Sequence, residues 1–260
     1  MRTLLKVLLG VFVLLVVTVA GLALTLRATP PATVFDLKPP SDSARDPRPV
    51  LVFGASGGTG HELVKLLRAR GQPVVAAVRA TSDRSRLEPL GVTFVVADAM
   101  HPDEVLTAAA AADFQAVVTT VSCLRCDPPP DFVGNRNVID AARARGIRRV
   151  ILVSTIGAGD SHDAANLLTR IALARILPLK TQAESYLRAS GLDYTIIRPG
   201  GLRPDDKAPT GLGRLTEDRH TLGFIHRADL ARLIFAALDD DRTIGHTFAA
   251  VDPSVHKPWR

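Results

Sequence analysis

Aromatic residues are scarce. Phe, Trp and Tyr together make up 5% of the 260 residues, with one Trp and two Tyr. The 32 Lys and Arg are interspersed with 26 Asp and Glu, and few rings punctuate them. A net charge of +6 spread this way describes a solvated surface, not a nucleic-acid footprint. Cysteine is scarcer still. Cys123 and Cys126 form the only pair, too few for a four-ligand zinc site, and no histidine lies near them. No metal centre is expected. Their C-x-x-C spacing leaves two readings, a redox dithiol or an ordinary loop. No internal repeat is present.

The N-terminus lacks a polar face. Leu4 to Leu26 is interrupted only by Lys6, Thr18 and Thr25, so a buried helix of a soluble domain is a poor third reading, with no polar face to turn outward. About 20 residues between Lys6 and Arg27 suffice to span a bilayer. A cleaved signal peptide is the rival, because Gly21-Leu22-Ala23 offers small residues two apart. The length of the run favours an uncleaved anchor. Arg2 and Lys6 before it nearly balance Arg27, Lys38, Arg45 and Arg48 after it, so charge does not set the orientation.

What the chain has is a glycine loop. Pro49-Val-Leu-Val-Phe-Gly54-Ala-Ser-Gly57-Gly-Thr-Gly60 runs an apolar strand into three glycines spaced three apart, and a helical pattern follows. Gly54 permits a tight turn, Gly57 lets backbone N–H groups approach a pyrophosphate, and Gly60 lets helix and strand pack closely. The helix N-terminus adds unpaired N–H groups and a positive dipole. Ser56, Gly58 and Thr59 complete the seat.

The segments divide as residues 1–27, an anchor; 28–48, a proline-rich tether; and 49–260, one domain. About 210 residues suit one α/β domain. Pro30, Pro31, Pro39, Pro40, Pro47 and Pro49 make the tether semi-extended. Strands are expected over 50–53, 73–78, 92–97, 116–121, 149–154 and 194–198. Helices are expected over 59–70, 103–112, 132–145, 181–190 and 229–238. Alternation with continuous apolar runs implies a doubly wound parallel sheet, Rossmann-like, with ligands beyond the carboxyl ends of the strands.

The residues at those ends are the candidates. Arg79 follows the second strand, where a guanidinium would grip a ribose 2′-phosphate; Ser82, Arg84 and Arg86 come close behind. NADP(H) is therefore expected in preference to NAD(H). Asp98 reaches an adenine amino group or caps its own turn. Thr120 and Val121 should run beside the cofactor. Ser154 would lie near the nicotinamide and hydrogen-bond a substrate carbonyl. Lys180, opening a helix, would hold ribose hydroxyls. Pro199 and Gly200 turn sharply against the nicotinamide. His220 and His226 read as surface or core residues.

Together these residues resemble the atypical short-chain dehydrogenase/reductases of the NAD(P)H-binding, NmrA-like group. The matching segments are 54–60, 77–79, 137–142, 153–157, 190–201 and 225–229. In the wider superfamily the resemblance implies a Tyr-x-x-x-Lys pair in which tyrosine moves the proton. Lys180 matches the lysine, but Ile176 stands at the tyrosine position. Ser154 and Lys180 are thus the catalytic candidates, without the usual acid. The resemblance implies an NADPH-dependent oxidoreductase; the apolar run over residues 4–26, which lies outside the resemblance, would tether it to a membrane. Its alternative is a non-catalytic NADPH-binding sensor or assembly scaffold with a membrane protein partner. Because reduced nicotinamide cofactors are cytosolic, a single-pass protein with a cytoplasmic domain is expected.

Overall fold

The computed structural model describes residues 28–42 and 46–256. The expected span over residues 4–26 lies outside the described residues. Among the described residues no helix is long and apolar enough to cross a membrane.

The domain is built on one eight-stranded sheet. Its strands are β1 (Val50–Phe53), β2 (Val74–Val78), β3 (Thr93–Val96), β4 (Ala116–Thr119), β5 (Arg149–Val153), β6 (Asp193–Pro199), β10 (His246–Val251) and β8 (Arg214–Thr216). They are ordered β3-β2-β1-β4-β5-β6-β10-β8. All pair in parallel except β8, which runs antiparallel to β10 at one edge. The expected parallel sheet is therefore correct for the first six strands, and the last third adds the antiparallel edge. A two-stranded pair, β7 (Gly201–Leu202) with β9 (Phe224–Ile225), stands beside it.

Among the described residues there are six α-helices: α1 (Gly58–Ala69), α2 (Pro102–Ala109), α3 (Val133–Ala144), α4 (Leu167–Ala172), α5 (Leu177–Arg188) and α6 (Arg227–Asp239); all but α4 pack on the sheet. α1 and α6 pack on one face, in a core with Leu63, Val64, Leu67, Leu230 and Ile234. α2, α3 and α5 cover the other, with Val105, Val138, Ile139 and Leu187 inward. Each fully buried aliphatic side chain contributes about 1.5–3 kcal/mol. Strands covered on both faces need apolar residues at consecutive positions, and β1, β2 and β4 are buried throughout.

α5 begins at Leu177, a turn before the expected start at 181. Pro178 reads as a break in sequence, but proline fits the first turn, where its missing N–H has no intrahelical partner to lose. Lys180 therefore lies inside α5. The short α4, capped by the Asn166 side chain accepting from Thr169 N, was not expected.

The proline-rich segment 28–42 runs extended along the domain. Phe35 N donates to Leu215 O on the edge strand β8, and the Phe35 ring sits 4.7 Å from Phe248. Lys38 N donates to Asp240 Oδ2 and Ser41 N to Asp239 Oδ2. The segment covers a sheet edge that would otherwise offer unpaired backbone groups.

Candidate cofactor cleft and active site

The chain steps outward from β1 to β3, then returns to the other side of β1 for β4 to β6. The carboxyl ends of β1 and β4 therefore splay where the strand order reverses, and a cleft opens there. It holds two cavities of about 290 and about 500 Å³ that share Gly57, Thr120 and Ser122.

The glycines shape its floor. Gly54 has φ of +79°, and a Cβ there would lie 2.4 Å from Thr120 Oγ1. Gly60 passes so close to β1 that a Cβ would lie 2.2 Å from Gly54 O. Both the conformation and the contact exclude a side chain. Gly57 is the N-cap residue of α1 and offers no side-chain cap, and the first turn carries no acid. Its N-terminal N–H groups and dipole are thus left for an anion. The residues present fit a dinucleotide pyrophosphate.

The smaller cavity is lined by Gly54, Ser56, Arg79, Asp98, Thr120 and Val121, all predicted from sequence. Arg79 is exposed, and no described residue pairs with its guanidinium. Its neighbours are engaged elsewhere. Arg84 lies over the Phe94 ring, and Arg86 Nη2 lies 3.0 Å from His61 Nδ1. Asp98 Oδ1 accepts from Met100 N at 2.9 Å, so the local cap forms while the residue still faces the cavity. Cys123 and Cys126 also border this cavity, joined as a disulfide.

The larger cavity is lined by Gly58, Thr59, Ser154, Lys180, Pro199 and Gly200, again as predicted, with Ile176 in the same wall. Gly60 lines neither cavity. The two tyrosines lie away from both. Tyr186 donates to Asp140 at 2.7 Å, and Tyr194 packs against the opposite core.

Two polar networks fix the wall. Ser154 Oγ donates to Glu184 Oε1 at 2.6 Å. Glu184 also accepts from Arg198, Nε to Oε1 at 2.9 Å and Nη2 to Oε2 at 2.6 Å, and the three residues are buried. A carboxylate only accepts, so Ser154 spends its proton here and shows the cavity lone pairs. In this arrangement Ser154 has no hydrogen left over for a substrate carbonyl, the role expected from the sequence.

In the second network Lys180 Nζ donates to Val121 O and Val153 O, each at 3.0 Å, and pairs with Asp131 Oδ1 at 3.3 Å. All three ammonium hydrogens face partners. Burial pushes the Lys180 ammonium below its ordinary pKa, opposed by the Asp131 charge. Asp131 also accepts from Ser122 Oγ at 2.6 Å and Cys123 N at 3.2 Å. Lys180 thus ties together the ends of β4 and β5 and the loop that leaves β4. To reach a ribose hydroxyl it must give up one of these contacts.

Sequence reasoning missed Asp131, Glu184 and Arg227. Glu184 had a signal, since it stands one helical turn after Lys180 on the same buried face. Arg227 lies over the glycine loop; a Cβ on Gly58 would be 2.5 Å from Arg227 Cδ. Its guanidinium donates to Arg203 O and Asp205. It puts a cation beside the pyrophosphate seat.

The comparisons agree with this geometry. A family model described as NAD(P)H-binding matches residues 54–241. An uncharacterized sugar epimerase of Bacillus subtilis (strain 168), YhfK, is 34% identical over 206 residues, covering 76% of this chain and 92% of its own length. Sanguinarine reductase of Eschscholzia californica is 36% identical over 123 residues, 45% of this chain and 43% of its own. Among solved structures, ChuY, an anaerobillin reductase from Escherichia coli O157:H7, superposes with a TM-score of 0.72 at 33% identity. That likeness covers 80% of this chain and 98% of ChuY.

Proposed function

This chain belongs to the NAD(P)H-binding family, and from that premise we propose that it is a membrane-tethered, NADPH-dependent reductase that works without a tyrosine acid. One observation carries the reading. The larger cavity runs from the glycine loop past Ser154 to walls built mainly of apolar side chains, among them Ile156, Leu173, Ile176, Leu222 and Phe224. That leaves room for a small lipophilic acceptor beside the nicotinamide end of the cleft. The reductase names of ChuY and sanguinarine reductase support the same reading.

The reduced nicotinamide, when bound, supplies the hydride. Gly57, Gly58, Thr59 and the start of α1 hold the pyrophosphate, and Arg79 selects the 2′-phosphate over a free hydroxyl. Lys180 would orient the ribose by exchanging one of its backbone contacts, Val121 O or Val153 O, while keeping the buried ion pair with Asp131. Ser154 accepts a hydrogen bond from a water, which delivers the proton that Ile176 cannot. Residues 4–26 anchor the chain, and the domain faces the cytosol, where reduced cofactor is available.

A second reading has its own support. Ile176 and the fully engaged Lys180 leave no free acid or amine in the larger cavity, as suits a cofactor-loaded sensor or scaffold for a membrane partner. One experiment separates them. Full-length protein in lipid nanodiscs is loaded with NADPH, and cofactor absorbance is followed against quinones, flavins and aldehydes. Turnover of any acceptor supports the reductase. Tight NADPH binding without turnover supports the scaffold, and failure to bind either nicotinamide cofactor defeats both.

A further inference from the structure

We infer that the mouth of the larger cavity rests on a lipid bilayer and receives its acceptor from it. This deepens the tethered-reductase reading and rests on it.

The rim of that cavity is apolar where solvent would be expected to favour polar groups. α4 has two faces. Asn166 at its cap, Thr169 and Leu173 line the cavity. Leu167, Leu168 and Ile171 point the other way, exposed at 61%, 40% and 64%. Positions 0, 1 and 4 of a helix share one stripe, so these form one patch and not scattered residues. Leu124 and Leu202 line the same cavity and are 52% and 40% exposed. A clustered exposed patch of large aliphatics on a folded domain marks a contact surface.

The path of the chain selects the occupant. Thr29 N donates to Leu222 O at 2.6 Å, and Leu222 N donates to Thr29 O at 3.0 Å. Leu222 lines the larger cavity. The described chain therefore begins pinned to the cavity wall. Only Arg27 and Ala28 separate Thr29 from Leu26, the last of the apolar run, and three Cα steps are at most about 11 Å of chain. A sequence long enough to span a bilayer thus enters the domain at a wall of this cavity, beside the β7–β9 pair that carries the exposed Leu202. A tether at the far edge of the sheet would leave that rim free to turn toward water; a tether at the rim holds it near the membrane. Apolar residues at a membrane surface bury themselves among acyl chains. An apolar acceptor dissolved in the bilayer then reaches the cavity without crossing water.

The test uses the full chain in phosphatidylcholine vesicles whose acyl chains carry bromine, which quenches nearby indoles. Leu168→Trp is made in a chain also carrying Trp259→Phe, so the new indole is the only one. Leu106→Trp, on α2 and outside the lining of the larger cavity, is the control; Leu106 is itself 37% exposed. The inference expects loss of emission for the α4 probe and none for the control. An unquenched α4 probe overturns it, whether the patch is covered by a protein partner, a second copy or residues 4–26 themselves. Kinetics give the second arm. The triple change Leu167→Ser, Leu168→Ser, Ile171→Ser should lower kcat/KM on the order of tenfold for a long-chain quinone in the vesicle and leave a water-soluble short-chain quinone unchanged. Equal loss for both quinones overturns entry from the bilayer. A quenched probe with no turnover of any acceptor keeps the surface and defeats the reductase reading instead.

Discussion

Ser154 Oγ and Glu184 Oε1 lie 2.6 Å apart, and the serine is the donor. The direction follows from chemistry, because the carboxylate already collects two N–H groups of Arg198 and has no hydrogen to give. Ser154 therefore meets the cavity as an acceptor. Ser154→Ala should lower kcat/KM about tenfold, the scale of one lost hydrogen bond to a reacting group, with NADPH affinity unchanged. Stopped-flow reduction of a quinone checks it; an equal loss of cofactor affinity would assign Ser154 to binding alone.

The same contact has a stability consequence. Glu184→Ala strips the buried Arg198 guanidinium of the carboxylate that holds two of its three nitrogens. The cost should be about 3–5 kcal/mol, read from urea unfolding of the full chain. Arg198 keeps Asp160 as a partner at 2.5 Å, which holds the loss to that range.

Arg79 is the cheapest test of cofactor choice. Its guanidinium is exposed and lines the smaller cavity, so changing it leaves the core untouched. Arg79→Asp should weaken NADPH binding on the order of a hundredfold and NADH binding by much less, because only NADPH carries the phosphate to be repelled. Fluorescence titration with both cofactors decides, and equal losses sink the assignment.

Lys180 predicts a pH effect. Burial lowers its pKa in the folded state from the ordinary value of 10.5. Between the two values the unfolded chain binds more protons, so this group makes stability rise with pH across that window. Lys180→Met removes the rise and, by orphaning Asp131, costs about 3–5 kcal/mol at neutral pH. Adding Asp131→Asn should recover part of that loss. Unfolding at neutral and alkaline pH, compared between variant and parent, isolates the group.

Asp240 predicts the opposite limb. The Arg242 guanidinium hydrogen-bonded to it outweighs burial and, with the backbone N–H groups of Lys38 and Arg242, holds its carboxyl well below the usual range. A carboxylate with a depressed folded pKa contributes stability above the unfolded value, and this is lost as pH falls through the folded one. Asp240→Asn should cost about 1–3 kcal/mol at neutral pH and flatten the acid limb. Hydrogen exchange at Lys38 N should speed up, since Asp240 Oδ2 is its acceptor.

Much of the first cavity was legible in the sequence because its pieces are local. Gly54 to Gly60, Arg79 and Asp98 each follow a strand directly, so a correct strand assignment places them. Asp131 and Glu184 were not legible. Their partners Lys180, Ser154 and Arg198 come from 14 to 49 residues away; nothing local marks Asp131, and Glu184 is marked only by standing one turn after Lys180, which does not reveal Ser154 or Arg198 as its partners. The disulfide was open for the same reason. C-x-x-C spacing permits a bond, and only the folded loop, where Cys123 N also donates to Asp131, shows the pair joined.

The sequence by itself determined the doubly wound core, the glycine seat and the identity of the residue at 176. Those rest on periodicity, on φ freedom and on side-chain chemistry, which are properties of short segments. Tertiary structure decided which way the Ser154 proton points, what the three hydrogens of Lys180 hold, and where segment 28–42 docks. These depend on groups that meet only once the sheet has brought distant strands together, because hydrogen bonds reach about 3 Å and carry no mark along the chain.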